Sequence, residues 1–148
     1  MIAVDTNILV YAHREDSSFH QVASRRVAEL AEGAESWAIP WPCVHEFLAI
    51  VTHPRIYAPP TPLQRALAQV DAWLESPTLV LLAESATHWP ILRGLLGGAR
   101  AAGAQVHDAR IVALCRQHGV RTLWSADRDF NRFGGLAVVN PLIGRISG

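Results

Sequence analysis

The sequence predicts an α/β protein, more specifically a three-layer α/β/α sandwich with a central parallel sheet. Short apolar segments alternate along the chain with longer segments that have helical periodicity or helix-capping residues. Strands separated by helices favour a parallel sheet that is covered by helices on both faces. The chain has 148 residues, half of them hydrophobic and 18% charged, which is enough for one domain over residues 1–148 with a sizeable core.

The elements follow in a regular order. Five short strands are predicted at residues 2–4, 37–39, 78–82, 122–124 and 137–139. Six helices are predicted at residues 6–13, 18–32, 42–52, 61–75, 87–102 and 108–118. Asp5 or Thr6 lies near the N-cap of the first helix, and Pro54 stops the third.

Capping residues predict the ends of the later helices. The segment Thr61-Pro62-Leu63-Gln64 has the pattern of a capping box with proline at the first helical position. Ser85 or Thr87 caps the fifth helix, and Gly103 ends it. The sixth helix begins at Asp108.

Composition narrows the class of protein. No apolar run approaches the roughly 18 to 20 residues that span a membrane, and the first residues lack the features of a signal peptide. The sequence therefore predicts a cytoplasmic protein without a membrane anchor. Cys43 and Cys115 are far apart and form no CxxC pair, which favours two buried free thiols over a disulfide.

The charges are unevenly distributed although they sum to zero. All thirteen basic residues are arginine. Residues 1–85 carry five arginines and ten acids, whereas residues 86–148 carry eight arginines and three acids. A basic second half is compatible with phosphate binding, and an accidental distribution explains it equally well.

Acidic residues fall where a ligand site is expected. In open parallel α/β sheets, ligands bind outside the carboxyl ends of the strands. Asp5 follows the first strand, Asp127 and Asp129 follow the fourth, and Asp108 begins a helix. Glu46 lies at the edge of the apolar face of the third helix, from which it can lean toward the sheet.

Each of these acids alone has an ordinary structural explanation as a helix cap, a turn residue or a solvated helix residue. The combination favours a site, because converging carboxylates repel one another and destabilise the fold unless a cation is present. Hard oxygen ligands without cysteine or paired histidine suit Mg²⁺, or alternatively Mn²⁺.

Four segments together resemble the PIN domain. They are "AVDTNILVYA" at the start, "WPCVHEFL" with Glu46, "VHDARIVALCRQHG" with Asp108, and "TLWSADRDF" with Asp127. Their order and spacing resemble most closely the VapC-type toxins of bacterial toxin–antitoxin pairs. The resemblance extends from Met1 to about Pro141.

The resemblance implies an α/β/α fold and an acidic Mg²⁺ site that cleaves RNA. It implies catalytic and metal-binding roles for four acids, Asp5, Glu46, Asp108 and Asp127, with Asp129 as an auxiliary metal-site acid. It also implies that small polar residues orient the carboxylates or water, namely Thr6, Asn7 and Ser125. The implied partners are an RNA substrate, a cognate VapB-type antitoxin that docks in an apolar groove near the site, and a second copy in a homodimer.

The expected chemistry is attack on a phosphodiester by an activated water, which leaves a 5′-phosphate and a 3′-hydroxyl. Glu46 would bind the metal or accept a proton from that water. One competing hypothesis is a PIN-like module that binds RNA or protein without cleaving. Another is a metal-dependent phosphatase, although "DTN" lacks the second aspartate of a DxDxT segment.

Other residues near the acids leave their roles open. Arg110, Arg128 and Arg132 could contact phosphate or pair with the acids. His107 precedes Asp108 and is more consistent with a structural or supporting role. The tryptophans are predicted to serve packing rather than base stacking, and they are Trp37, Trp41, Trp73, Trp89 and Trp124. Residues 8–12 and 44–51 have an apolar surplus that suits a docking groove, but ordinary core packing explains it too.

Overall fold

A five-stranded sheet forms the centre of the molecule. The computed structural model describes residues 1–143, so the last five residues of the predicted domain 1–148 lie outside the described part. The strands are β1 (Ile2–Val4), β2 (Trp37–Pro40), β3 (Leu79–Leu82), β4 (Thr122–Trp124) and β5 (Ala137–Val139). They pair in the order β3-β2-β1-β4-β5, and every pair is parallel. The predicted α/β class with a central parallel sheet is confirmed.

Helices connect the strands. They are α1 (Thr6–His13), α2 (His20–Glu32), α3 (Trp41–Val51), α4 (Leu63–Leu74), α5 (His88–Ala99) and α6 (Gln105–Gln117). A short 3-10 helix, Arg128–Phe133, lies between β4 and β5. No helix within residues 1–143 is long and apolar enough to cross a membrane.

Strand β1 occupies the middle of the sheet. Ile2 is paired with Trp37 of β2 on one side and with Thr122 of β4 on the other. Ala3 and Val4 are fully buried because neighbouring strands and helices cover this strand from all sides. The carboxyl ends of β1 and β4 consequently lie side by side, and the backbone N–H of Asp5 extends the pairing with a bond to the Trp124 carbonyl at 2.9 Å.

The predicted capping box at Thr61 is wrong. Helix α4 begins at Leu63, Pro62 precedes it, and no side chain caps it. The Thr61 hydroxyl is instead bonded to His13 Nε2 at 3.2 Å and accepts from Arg14 at 3.3 Å. Its backbone N–H donates to the carbonyl of Val51 at 2.7 Å. Thr61 therefore fastens the start of α4 to the ends of α1 and α3.

Two further helix boundaries differ from the prediction. Helix α5 ends at Ala99 rather than near residue 102, because Arg100 adopts a left-handed conformation with φ 48° and Ala101 N–H bonds back to Leu96. Helix α6 starts three residues early, at Gln105, so Asp108 lies within its first turn. Thr87 precedes α5 without a side-chain capping bond.

The core accounts for most of the apolar residues considered above. Both cysteines are buried and free, as predicted. The apolar residues of α1 and α3 that suited a groove are largely buried in the core, among them Ile8, Leu9, Val44 and Phe47. Tryptophan packing is confirmed for the three buried members, Trp37, Trp73 and Trp124. Trp89 is 63% exposed and packs little.

Candidate active site

An acid-lined cleft opens at the edge of the sheet where β1 and β4 end. Its volume is about 590 Å³, and residues from α1, α3, α6 and the segment after β4 line it. The four predicted catalytic acids all line this cleft: Asp5, Glu46, Asp108 and Asp127. Parallel pairing of β1 with β4 brings the first and last of these together, although they lie far apart in sequence.

Asp5 is the most buried of these acids. It is 5% exposed, and it is the only buried charged side chain within residues 1–143. Its Oδ1 accepts the backbone N–H of Thr6 at 2.8 Å, and its Oδ2 accepts the Ser125 hydroxyl at 2.6 Å. The thiol of Cys43 donates to Oδ1 at 3.7 Å. Three donors therefore hold the carboxylate in one orientation as the N-cap of α1.

Burial dominates the electrostatics of Asp5. Its pKa is raised from 3.8 to about 6, chiefly by desolvation and to a smaller extent by the negative charge of Glu46. The hydrogen bonds from Ser125, Thr6 and Cys43 act in the opposite direction. A carboxylate in these surroundings gains stability from any cation that reaches it.

Ser125 connects the ends of the two central strands. Its hydroxyl donates to Asp5 and accepts from the backbone N–H of Asp127 at 3.0 Å and from the Asn7 amide at 3.4 Å. Asn7 Oδ1 in turn accepts the backbone N–H of Ala126 at 3.2 Å. Asn7 and Ser125 thus tie α1 to the segment that carries Asp127.

Glu46 and Asp108 face the cleft from two different helices. The Thr6 hydroxyl donates to Glu46 Oε2 at 3.4 Å, and the Glu46 side chain is otherwise exposed. Burial raises the pKa of Asp108, and the charges of Asp127, Asp129 and Glu46 raise it further, whereas Arg132 lowers it. The charges of Asp127, Asp129 and Glu46 therefore all act on Asp108.

Asp129 lies outside the residues that line the cleft. Its backbone N–H donates to Asp127 Oδ1 at 2.9 Å, in the first turn of the 3-10 helix. Its charge nevertheless acts on Asp108. This placement is compatible with an outer acid.

The donor set fits a hard divalent cation. None of the three ion pairs formed within residues 1–143 involves these five acids, although the more distant charge of Arg132 acts on Asp108. No three His, Cys, Asp or Glu side chains of the described residues lie close enough to hold a metal as they stand. Mg²⁺ retains several waters and commonly binds proteins through only one or two carboxylates, which suits acids spread around a cleft.

The structure adds residues that the sequence reasoning missed. Cys43 contacts Asp5 directly, and its position three residues before Glu46 on one helix could have indicated this. His45 lines the cleft beside Glu46, as the predicted His107 does beside Asp108. Arg110 also lines the cleft, and it forms an ion pair with Glu84, 26 residues away, which no local pattern predicts.

Comparison with known proteins identifies the class. The family model described as PIN domain matches residues 2–136, so the chain belongs to the PIN-domain family. Ribonuclease VapC43 of Mycobacterium tuberculosis is 35% identical over 145 residues, which cover 98% of either chain. Ribonuclease VapC48 of the same organism is 32% identical over 140 residues, covering 95% of this chain and 97% of the relative. The chain is therefore one of the VapC ribonucleases within the PIN-domain family, as the resemblance predicted.

Solved structures share the fold. VapBC2 from Rickettsia felis, bound to a promoter DNA fragment, has a TM-score of 0.68 at 20% identity, covering 95% of this chain and 98% of that one. The sarcin–ricin loop cleaving toxin VapC20 of M. tuberculosis has a TM-score of 0.67 at 17% identity, covering 90% and 95%. At these identities the likeness concerns the fold alone. VapC ribonucleases generally depend on a metal ion, which agrees with the donor set of the cleft.

Proposed function

We propose that this chain is the toxin of a toxin–antitoxin pair and that it cleaves RNA internally at the acid-lined cleft. The observation that carries the proposal is the Asp5 carboxylate, which is buried, oriented by three donors and unpaired with any described arginine. Burial of a carboxylate without an ion pair destabilises the fold, and such carboxylates are typical of functional sites. The three other acids of the cleft could bind the same cation as Asp5.

The residues that would hold Mg²⁺, or Mn²⁺ in its place, are Asp5, Glu46, Asp108 and Asp127, directly or through water, with Asp129 in an outer position. When bound, the metal supplies positive charge at the scissile phosphate and makes water a better nucleophile near neutral pH. The raised pKa values of Asp5 and Asp108 support this assignment, because burial and then repulsion from neighbouring acids disfavour their ionised forms, and a bound cation would offset both effects.

We assign different roles to Asp5 and Glu46 in the reaction. Asp5 is held rigidly by Ser125 and Thr6, so it would fix the centre of the site. Glu46 is exposed and receives only a long bond from Thr6, which leaves its carboxylate available to accept a proton from the attacking water. Departure of the 3′ oxygen would leave a 5′-phosphate and a 3′-hydroxyl.

The partners follow from the relatives. Structural neighbours were solved as VapBC and FitAB assemblies on DNA, which supports a VapB-type antitoxin as the partner of this chain. A homodimer is the assembly that we propose for the toxin itself. Exposed apolar side chains around α3 and α4 offer contact area for either partner, and they are Ile56, Leu63 and Leu67. RNA and antitoxin would both meet the chain in the cytoplasm.

Substitution of Asp5 by asparagine tests the proposal. The purified chain, freed of antitoxin, is incubated with total bacterial RNA and Mg²⁺ or Mn²⁺. We expect discrete cleavage by the wild type, and a loss of at least about a hundredfold in Asp5→Asn, because even residues that only support metal ligands cost 10- to 100-fold. EDTA should abolish cleavage by the wild type.

Circular dichroism and thermal unfolding must show that Asp5→Asn is folded. An exposed acid on α4, Asp71, provides the matched control, and Asp71→Asn should cleave at the wild-type rate. Unchanged cleavage by Asp5→Asn would contradict the assignment of the site. RNA binding without any cleavage by the wild type would favour a non-catalytic binding module instead.

A further inference from the structure

Arg110 is the basic side chain that lines the acidic cleft in the described part of the chain. It lies on α6, one turn after His107 and on the same helix face, and Asp108 lines the same cleft. An RNA strand brings negative phosphates to this wall, where four carboxylates would repel them. A guanidinium at this position is suited to offset that repulsion, since its planar donors match phosphate oxygens.

Glu84 fixes the orientation of Arg110. Arg110 Nε donates to Glu84 Oε1 at 2.7 Å, and Nη2 lies 2.6 Å from the same oxygen. The other nitrogen of the guanidinium, Nη1, is not used by this pair. The side chains of Arg110 and Glu84 are 39% and 36% exposed, so a ligand in the cleft can approach the pair from solvent.

Glu84 is itself anchored without the help of Arg110. The carbonyl of the preceding residue, Ala83, accepts from Gln117 Nε2 at 3.0 Å and lies 3.0 Å from His118 Nε2. The end of α6 therefore holds the segment that carries Glu84 alongside the helix that carries Arg110. A bond from its own backbone N–H, and then the bond from Arg110, lower the pKa of Glu84, so its carboxylate is charged and paired with the guanidinium at neutral pH.

We propose that Arg110 binds a backbone phosphate of the RNA strand in the cleft and that Glu84 is the positioning residue that aims it. This inference rests on the proposed ribonuclease function and extends it to a residue outside the acidic set. Arg110 contacts the substrate in the ground state and in the transition state alike, so it contributes to binding rather than to the chemical step.

The first measurement separates binding from chemistry. Cleavage of a short single-stranded RNA in Mg²⁺ is compared for the wild type, Arg110→Gln and Arg110→Lys. We expect Arg110→Gln to raise KM about tenfold with kcat unchanged, the size of one lost charge-assisted hydrogen bond. Arg110→Lys should recover part of the loss, because lysine keeps the charge without the planar donors. Arg25→Gln, which alters an exposed arginine on α2, is the control and should leave KM unchanged.

The second measurement uses binding alone. In an Asp5→Asn background, anisotropy of the fluorescein-labelled RNA gives Kd between about 50 and 200 mM salt. Loss of one phosphate contact in Arg110→Gln should lower the slope of log Kd against log salt by about 1. Glu84→Ala should weaken binding although it removes a negative charge, whereas the control Asp71→Ala should leave binding unchanged or tighten it.

The outcomes are distinct. If the wild type cleaves RNA and Arg110→Gln retains its KM and salt slope, Arg110 is only the structural partner of Glu84 and the inference is wrong. If Glu84→Ala tightens binding as Asp71→Ala does, Glu84 has no positioning role. If the wild type cleaves nothing, the proposed function fails, and the binding slopes still decide whether Arg110 contacts phosphate.

Discussion

At the scale of single residues, Asp5 shows how this protein handles a buried charge. Burial makes the ionised form unfavourable, and the bonds from Ser125, Thr6 and Cys43 recover only part of that cost. The carboxylate is thus oriented yet under-compensated, which is the condition in which an added cation has the greatest effect. The Asp5 carboxylate should therefore lower the stability of the metal-free protein while it supports activity.

The raised pKa of Asp5 predicts a pH dependence of stability in the metal-free protein. The native state holds the Asp5 proton up to about pH 6, whereas the unfolded chain releases it near 3.8. This contribution to stability is complete below pH 3.8 and is lost as the pH rises through 6. The loss corresponds to about 3 kcal/mol. Urea unfolding in EDTA at pH 4 and pH 7 measures it, with Asp5→Asn as the reference that lacks the group. Parallel curves for the two proteins would contradict the prediction.

Removal of the Ser125 hydroxyl should lower both the stability and the activity of the protein. Ser125→Ala removes the hydroxyl that donates to Asp5 and accepts from Asn7 and the Asp127 backbone. We expect a cost of about 1–3 kcal/mol in the free energy of unfolding and a loss of about 10- to 100-fold in cleavage. Chemical denaturation and the RNA assay measure the two effects. Ser18→Ala, at an exposed position, should change neither.

At the scale of elements, the junction of α1 with α4 depends on side chains rather than on local capping. His13 bonds to Gln69 at 3.0 Å and to Thr61, and Arg14 lies over the Tyr57 ring at 4.1 Å while it donates to Pro59. These contacts join the end of α1 to the loop before α4. The loop is therefore part of the scaffold, and its residues do not line the acid-lined cleft.

Thr61 allows this junction to be tested apart from catalysis. Thr61→Val keeps the shape of the side chain but removes the hydroxyl that bonds to His13 Nε2 and to Arg14, and His13 Nε2 loses its partner. We expect the free energy of unfolding to fall by about 1–3 kcal/mol, with kcat and KM for RNA unchanged at temperatures where the variant is folded. Thr61→Ser retains the hydroxyl and should restore most of the stability. A change in kcat would mean that α4 influences the cleft.

The element boundaries show which features a local pattern can predict. All five strands were predicted to within a residue, because short apolar segments between turn and capping residues are typical of buried strands. The capping box at Thr61 was wrong because its hydroxyl bonds to α1, 48 residues away in sequence. The 3-10 helix was missed because it is short and has no hydrophobic periodicity. It begins at a turn in which the Asp127 side chain accepts the backbone N–H of Asp129.

At the scale of the whole molecule, the strand order decides which residues meet. The order β3-β2-β1-β4-β5 sets the carboxyl ends of β1 and β4 next to each other. The clustering of four acids was predictable, since Asp5 and Asp127 follow strands that end at that edge and Asp108 lies in the first turn of a helix. Glu46 lies at the edge of the apolar face of α3. The contacts of Cys43 with Asp5 and of Glu84 with Arg110 were not, because they depend on side-chain packing between distant segments.

Metal binding should stabilise the whole molecule and not the site alone. At a free Mg²⁺ or Mn²⁺ concentration of 100 times Kd, the native state gains about 2.7 kcal/mol, and Tm should rise by several degrees. Thermal unfolding at pH 7 with and without the ion measures this. Asp5→Asn should show a much smaller rise. An equal rise in both proteins would place the ion elsewhere.

The pairing of β1 with β4 also bears on how the enzyme is made. Asp5 is synthesised before Ser125, which orients its carboxylate and follows 120 residues later. Until β4 has been synthesised and has joined β1, the nascent chain has neither this hydroxyl nor Asp127 in place. A prematurely terminated chain that lacks β4 consequently cannot assemble the acid-lined cleft, which forms only after residues on both sides of the sheet have been synthesised.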